Sequence, residues 1–245
     1  MRGVFVTGTD TGVGKTVLTA VLVGLWRARG VDAVPAKPVQ TGAARRGRTL
    51  AAPDLEFCLR ANGIRASAVE QALMAPYRFA PACSPHLAAE LAGREIELGR
   101  IADSLRRLGA RHDRLVVEGA GGALVPVNRR ATMLDLIRRL RLPVIVAARA
   151  GLGTINHTLL TLAALRAARC RVLGVVLVQS AATPWGWIET NNGATISRRG
   201  QVRVLGRLPY MPALAAGVVT TARFRGVLRA WQPELPALID ALEEN

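Results

Sequence analysis

The sequence predicts an α/β fold in which a doubly wound, mainly parallel sheet is flanked by helices. Three observations carry that expectation. Short β-branched runs alternate with segments of helical spacing along the chain. Two of the runs, "RLVVEGAGG" and "LPVIVAARAGLG", pass from an apolar strand into a glycine loop, as strands do at the site-bearing edge of such sheets. Half of the residues are hydrophobic but only 4% are aromatic, so Val, Leu, Ile and Ala must build the core. Strands covered by helices on both faces suit that composition.

Taken in order, Arg2 to Thr7 reads as a strand ending in a Gly-rich turn, and Lys15 to about Arg29 as a helix. "VDAVPAKPV" reads as a second strand, punctuated by Pro35 and Pro38. A polar, basic loop from Thr41 to Arg48 precedes a helix from Asp54 to about Asn62. Ser84 and Pro85 open another helix, with Ser84 as its expected N-cap and Pro85 in a favoured first-turn position. Leu98 to Leu108 is helical. After the two glycine-loop strands come the helix "INHTLLTLAALRAA" and the strands "RVLGVVLVQ" and "VRVLGRLP". Asn191 to Arg199 and Pro236 to Glu243 complete the helices. No repeat or linker divides the chain, which reads as one domain over residues 1–245.

Bulk properties narrow the function. No apolar run approaches the roughly 20 residues of a membrane span, so no membrane partner is expected. The opening "MRGVFVTGTD" enters a strand at once and shows no secretory pattern. Cys58, Cys83 and Cys170 lie far apart and are expected to be reduced thiols of a cytoplasmic protein. The formal charge of +16 rests on Arg scattered in short pairs, without aromatic interleaving or a basic tail, so no nucleic-acid partner is expected. Lysine stands only at positions 15 and 37 of this arginine-rich chain.

"GTDTGVGKT", Gly8 to Thr16, fits G-x-x-x-x-G-K-[ST] between a strand and a helix, which makes the expected sheet one of P-loop NTPase type. Glycines let backbone N–H groups turn onto phosphate oxygens, and the helix start favours an anion. Lys15 supplies a charge to the terminal phosphates, and the Thr16 hydroxyl is placed for Mg²⁺. Glu118 ends a buried strand directly before "GAGG" and is expected to hold a metal or order water. For Asp54 the residues alone leave a metal role and a helix N-cap both open. His86 and His157 read as packing residues, His112 as exposed, and Tyr77 and Phe79 as core or cleft wall. Trp185 and Trp187 have no assigned role.

Six segments then stand together in a known order. "VTGTDTGVGKT", "KPVQTG", "APYRFAPACSPHLAA", "VVEGAGGALVP", "PVIVAARAGLGTINHTLLT" and "VLGRLPYMP" resemble the dethiobiotin synthase family from about Met1 to Pro212. The resemblance implies an ATP- and Mg²⁺-dependent ring closure of 7,8-diaminononanoate with CO₂ to dethiobiotin, releasing ADP and phosphate. A carbamate and a carbamic–phosphoric anhydride are the implied intermediates, at the interface of a homodimer. It further implies that Gly12, Val13, Gly14, Lys15, Thr16, Glu118 and Pro209 bind nucleotide, with Gln179 expected to stand in for a base-reading Asn of the family. Lys37 matches the lysine of the carbamate and γ-phosphate region, Thr11 a residue near the carbamate, and Thr41 a Ser or Thr near substrate. Thr16, Asp54 and Glu118 match the groups around Mg²⁺. Leu152, Gly153, Thr154, Ile155 and Asn156 match the loop that receives the substrate carboxylate across the dimer, a role that suits a helix start.

The implied mechanism gives a reason for the two lysines. Carbamate and triphosphate repel until neutralised, and a thin ammonium stem enters between reacting oxygens where the flat Arg fork does not. Two departures stand out: Gly12 replaces an acid of some relatives, and Val178-Gln179 replaces an Asn that reads the base. The Gln179 amide also offers donor and acceptor. Two rivals are weighed. A DNA- or membrane-associated partitioning ATPase carries an early loop lysine where this chain has Asp10. A corrinoid amidating synthetase adds a glutamine-hydrolysing domain.

Overall fold

The computed structural model describes residues 1–47, 49–210, 212 and 219–244. Arg48, at the end of the expected loop, and Met211, in the last family-like segment, lie outside the described residues. The chain begins with β1 (Gly3–Gly8), α1 (Lys15–Arg27), β2 (Ala33–Ala36), β3 (Val39–Gln40), β4 (Ala44–Arg46) and β5 (Thr49–Ala51). It continues through α2 (Pro53–Asn62), α3 (Ala68–Met74), β6 (Tyr77–Arg78), α4 (Pro85–Leu91), α5 (Leu98–Gly109) and β7 (Arg114–Gly122). Then follow α6 (Met133–Leu140), β8 (Val144–Arg149), α7 (Thr154–Ala167), β9 (Val172–Val178), α8 (Trp187–Gly200) and β10 (Val204–Leu208). Helices α9 (Thr221–Trp231) and α10 (Pro236–Glu243) flank a short 3₁₀ turn.

Among the described residues, six strands pair side by side in the order β10-β9-β8-β1-β7-β2, every pair parallel. From the edge strand β2 the chain returns to β7 beside β1, then crosses β1 to reach β8. The connections therefore diverge around β1, and ligand sites in such sheets open at the strands' C-terminal ends at that point.

Strand alternation divides the interior. Phe5, Leu115, Val117, Val144 and Val146 face one core, while Val4, Val6, Val116, Ile145 and Ala147 face the other. Leu18 and Leu22 of α1 pack into the second core with Phe224 and Leu228 of α9. Ile101 and Leu105 of α5 and Leu136 of α6 pack into the first. Both faces are dry, which is why these strands read as near-continuous apolar runs.

Several expectations are corrected. "VDAVPAKPV" is two strands: β2 joins the main sheet, whereas β3 pairs with β6. The break falls at Lys37-Pro38, where Pro38 has no N–H for a ladder and the Lys37 N–H bonds to the Met74 carbonyl at 2.9 Å. The expected polar loop holds β4, which pairs antiparallel with β5 just beyond the loop's expected end. Helix α2 starts at Pro53 with Ala52 at its N-cap, so Asp54 is not the cap. Ser84 stands at the N-cap of α4 without a side-chain capping bond. Helix α8 begins at Trp187, ahead of the expected Asn191. His112 is largely covered, with Nδ1 2.8 Å from Asp32 Oδ2.

Candidate functional site

The phosphate loop joins β1 to α1. Gly14 caps α1 at φ 88°, a left-handed conformation that glycine adopts without penalty, and α1 has neither a side-chain cap nor an acid in its first turn. Its leading N–H groups are thus left for an anion. Lys15 folds back over the loop and donates from Nζ to the Asp10 carbonyl at 2.8 Å. Burial, and after it the nearby Lys37 charge, lowers the Lys15 pKa to about 8. Val13 turns its side chain into the core, leaving only its main chain for a ligand.

Beside this loop β2 and β7 run parallel, with Ala36 paired to Val117. That register sets Lys37, just past the end of β2, beside Glu118, which lies inside β7 and does not end it as expected, because the strand runs on through the glycines to Gly122. Lys37 Nζ lies 2.6 Å from Glu118 Oε1 and 2.9 Å from Asp54 Oδ2, and donates to the Gly119 carbonyl at 3.2 Å. The Thr16 hydroxyl donates to Glu118 Oε1 at 2.9 Å. Glu118 is only 2% exposed and Lys37 only 5%, so these charges meet out of water. Burial alone would depress the Lys37 ammonium, but Glu118 and then Asp54 outweigh it and hold its pKa above the ordinary range. Burial pushes the Glu118 carboxyl up, with Lys37 opposing.

Asp54 and Glu118 oxygens thus meet at a place that already takes a positive charge, and the Thr16 hydroxyl is bonded to the same Glu118 oxygen. Hard oxygen ligands fit Mg²⁺, which keeps several waters and phosphate oxygens of its own. No group of three or more His, Cys, Asp or Glu suited to hold a metal occurs among the described residues. The residues fit the ion.

A cleft of about 740 Å³ opens over this cluster. Thr11, Gly12, Gly14, Lys15, Thr16, Lys37, Thr41, Asp54 and Glu118 all line it, so nine of the expected site residues are brought together. Gln179, Pro209 and residues 152–156 do not line it. Gln179 directly follows β9 and donates from Nε2 to the Thr183 carbonyl at 2.8 Å. Pro209 follows β10 directly. Leu152 is 97% exposed, and Thr154 is buried with its hydroxyl 3.4 Å from that of Thr158. Helix α7 begins there under Gly153, with no side-chain cap and no acid in its first turn.

Residues 2–217 match the family described as AAA domain. An ATP-dependent dethiobiotin synthetase of Anaeromyxobacter sp. is 48% identical over 215 residues, covering 88% of this chain and 93% of that one. One from Novosphingobium aromaticivorans is 45% identical over 221 residues, with 88% and 94% covered. The chain belongs to the dethiobiotin synthetase family. It is therefore an ATP-dependent ligase by descent.

Solved structures agree on architecture. The MinC:MinD cell division complex of Aquifex aeolicus matches with a TM-score of 0.60 at 14% identity, covering 100% of this chain and 95% of that one. The Pyrococcus furiosus cell division ATPase MinD gives 0.57 at 16%, covering 100% and 98%. At such identities the likeness shows the P-loop fold alone. Gln40 of the cleft and the buried Cys58 beneath it have partners that the sequence reading missed. Gln40 lies between Thr41 and Asp54, and Cys58 donates to the Thr16 carbonyl at 3.5 Å beneath the loop. Gln40 stands inside "KPVQTG", but nothing in the spacing signals its partners.

Proposed function

We propose that this dethiobiotin synthetase closes 7,8-diaminononanoate and CO₂ into dethiobiotin at the cleft between β1, β2 and β7, with ATP as co-substrate and Mg²⁺ as cofactor. One observation carries the proposal. A phosphate loop, two buried lysine charges and two carboxylates converge on one place.

Lys15, Gly14 and the start of α1 receive the phosphates. Thr16, Asp54 and Glu118 would hold Mg²⁺, whose chemistry here is to neutralise charge between the terminal phosphates. Lys37 binds the carbamate that forms when one substrate amine captures CO₂. With the charges neutralised, the carbamate oxygen attacks the γ-phosphorus and ADP leaves, giving a carbamic–phosphoric anhydride. The second amine then attacks the carbamoyl carbon, phosphate departs, and the cyclic urea closes. Thr11 and Thr41, both lining the cleft, suit the carbamate and diamine.

The substrate carboxylate is assigned to the start of α7, supplied by a second copy of the chain. Its uncapped N–H groups at Ile155 and Asn156 form an anion site, and Leu152 presents an apolar surface beside them. The whole chain acts as a single catalytic domain in the cytoplasm. Gln179 and Pro209 are assigned to the nucleotide base.

The test is one assay. Purified protein receives diaminononanoate, bicarbonate, Mg²⁺ and each nucleoside triphosphate in turn, while dethiobiotin and phosphate are followed. Stoichiometric dethiobiotin and phosphate with ATP is the expected result. Phosphate release without the cyclic urea overturns the proposal, and tight DNA retention at physiological salt would favour a partitioning ATPase instead.

A further inference from the structure

We infer that Gln40 is a positioning residue that fixes Asp54 for the cation, an inference that rests on the proposed role of Asp54 as a metal ligand. Gln40 ends β3 and is 4% exposed. Its Oε1 accepts from the Asp54 main-chain N–H at 3.3 Å, while Nε2 donates to the Thr41 carbonyl at 2.8 Å and to Asp54 Oδ2 at 3.4 Å. The network sets the amide's orientation, because a main-chain N–H must meet its oxygen and a carboxylate its NH₂.

The start of α2 explains why such a residue is needed. Ala52 has no side chain to cap the helix, and Pro53 has no N–H. Asp54 therefore carries the first helical amide that requires a partner, and Gln40 supplies it from outside the helix. One planar group thus ties both the backbone and the carboxylate of the same residue to β3.

That carboxylate is not locked by packing, since the Asp54 side chain is 33% exposed. Lys37 and Gln40 both approach Oδ2, leaving Oδ1 for another partner. Lys37 is committed to the carbamate during reaction, whereas Gln40 has no such second task. A neutral amide also leaves the carboxylate's charge intact for a cation. Partners of this kind behind metal ligands change affinity by about 10- to 100-fold when removed. The same amide reaches the Thr41 carbonyl, so the cation side and the substrate side of the cleft share one anchor.

The experiment compares full-length wild type, Gln40→Met, Gln40→Asn and Asp54→Asn. Mn²⁺ is titrated by electron paramagnetic resonance in the presence of a non-hydrolysable ATP analogue. Analogue affinity without metal and thermal melting are measured alongside. Gln40→Met keeps the volume and loses every polar contact; Gln40→Asn keeps the amide one methylene short and serves if the Met variant does not fold. Folded Gln40 variants are expected to bind Mn²⁺ roughly tenfold more weakly, with metal-free analogue affinity unchanged. Asp54→Asn is expected to weaken Mn²⁺ at least as much. If Asp54→Asn weakens Mn²⁺ and the Gln40 variants stay within twofold of wild type, the positioning role is wrong and the ligand reading survives. Equal loss of metal-free and metal-bound analogue affinity would show a merely structural residue and also overturn it. Unchanged Mn²⁺ affinity in Asp54→Asn removes the ligand reading itself.

Discussion

Lys37 Nζ lies 2.6 Å from Glu118 Oε1 and 2.9 Å from Asp54 Oδ2, so a lysine stands where the two carboxylates of the cleft converge. Under the metal role proposed for Asp54 and Glu118, ammonium and divalent ion are drawn to the same two carboxylates. Removing the lysine leaves Glu118 buried without its counter-charge, a defect that costs about 3–5 kcal/mol. Lys37→Met is expected to melt roughly 10 °C lower at this chain length. Added Mg²⁺ should raise its melting point more than that of wild type. An equal Mg²⁺ effect in both proteins would contradict the shared position.

Lys37→Arg tests shape rather than charge. The planar fork is wider than an ammonium, and the site is closed by Glu118, Asp54 and the Gly119 carbonyl. Ring closure is expected to fall about a hundredfold, equivalent to roughly 3 kcal/mol of barrier. Turnover near wild type in a dethiobiotin assay would defeat the steric account.

Lys15 predicts a pH dependence of nucleotide binding. With its pKa lowered to about 8, it is charged below that pH and loses its proton above it. Phosphates favour the charged form, so binding above pH 8 must take up a proton. Affinity without Mg²⁺ is expected to be level near pH 7.5 and to decline above 8, by up to about tenfold per pH unit. Calorimetry in buffers of different ionisation enthalpy should show the uptake at pH 9. A level profile up to pH 9.5 rules the idea out.

The two loop glycines should differ in tolerance. At Gly14 a Cβ would meet Val178 Cγ1 at 2.5 Å, with φ at 88°. At Gly12, φ is 72° and a Cβ meets nothing within 4 Å. Gly12→Ala carries only the left-handed strain of about 1–2 kcal/mol. Gly14→Ala adds a clash with a stiff β-branched side chain and should melt clearly lower in parallel thermal scans.

Leu152→Asp should separate assembly from folding. Leu152, Leu160, Trp187 and Ile188 are exposed apolar residues on or beside α7 and α8. A charge at Leu152 is expected to shift sedimentation from dimer toward monomer with melting little changed. Ring closure should drop with it, chiefly through a raised KM for the diamine. A wild-type dimer with wild-type KM would remove residues 152–156 from the substrate site.

What could be read beforehand follows from periodicity. Strands β1, β7, β8 and β9 are long and apolar on both faces, so composition alone reveals them. The pairs β3–β6 and β4–β5 have two or three residues each, shorter than any pattern that could mark them. Helices α3 and α6 carried signals that went unread: Ser67 with Glu70, and Thr132 with Asp135, form capping boxes. The phosphate loop is local and was legible from spacing, whereas Lys37, Asp54 and Thr41 took meaning only from family likeness. Gln40 has neither, because its bonds exist only once β3 approaches α2. The exposed reading of His112 failed for the same reason, since Asp32 lies 80 residues away.

Strand β7 lies between two strands made long before it, and this governs when the protein first becomes competent. Glu118 meets Lys37 across 81 residues and Thr16 across 102. A nascent chain therefore displays its anion loop early, while the gap between β1 and β2 still waits for its middle member. Insertion of that late strand closes long-range loops, a slow step by topology. The cluster of Thr16, Lys37 and Glu118 thus assembles in one event, as the gap is filled, and any fragment ending before residue 118 should hold phosphate at most.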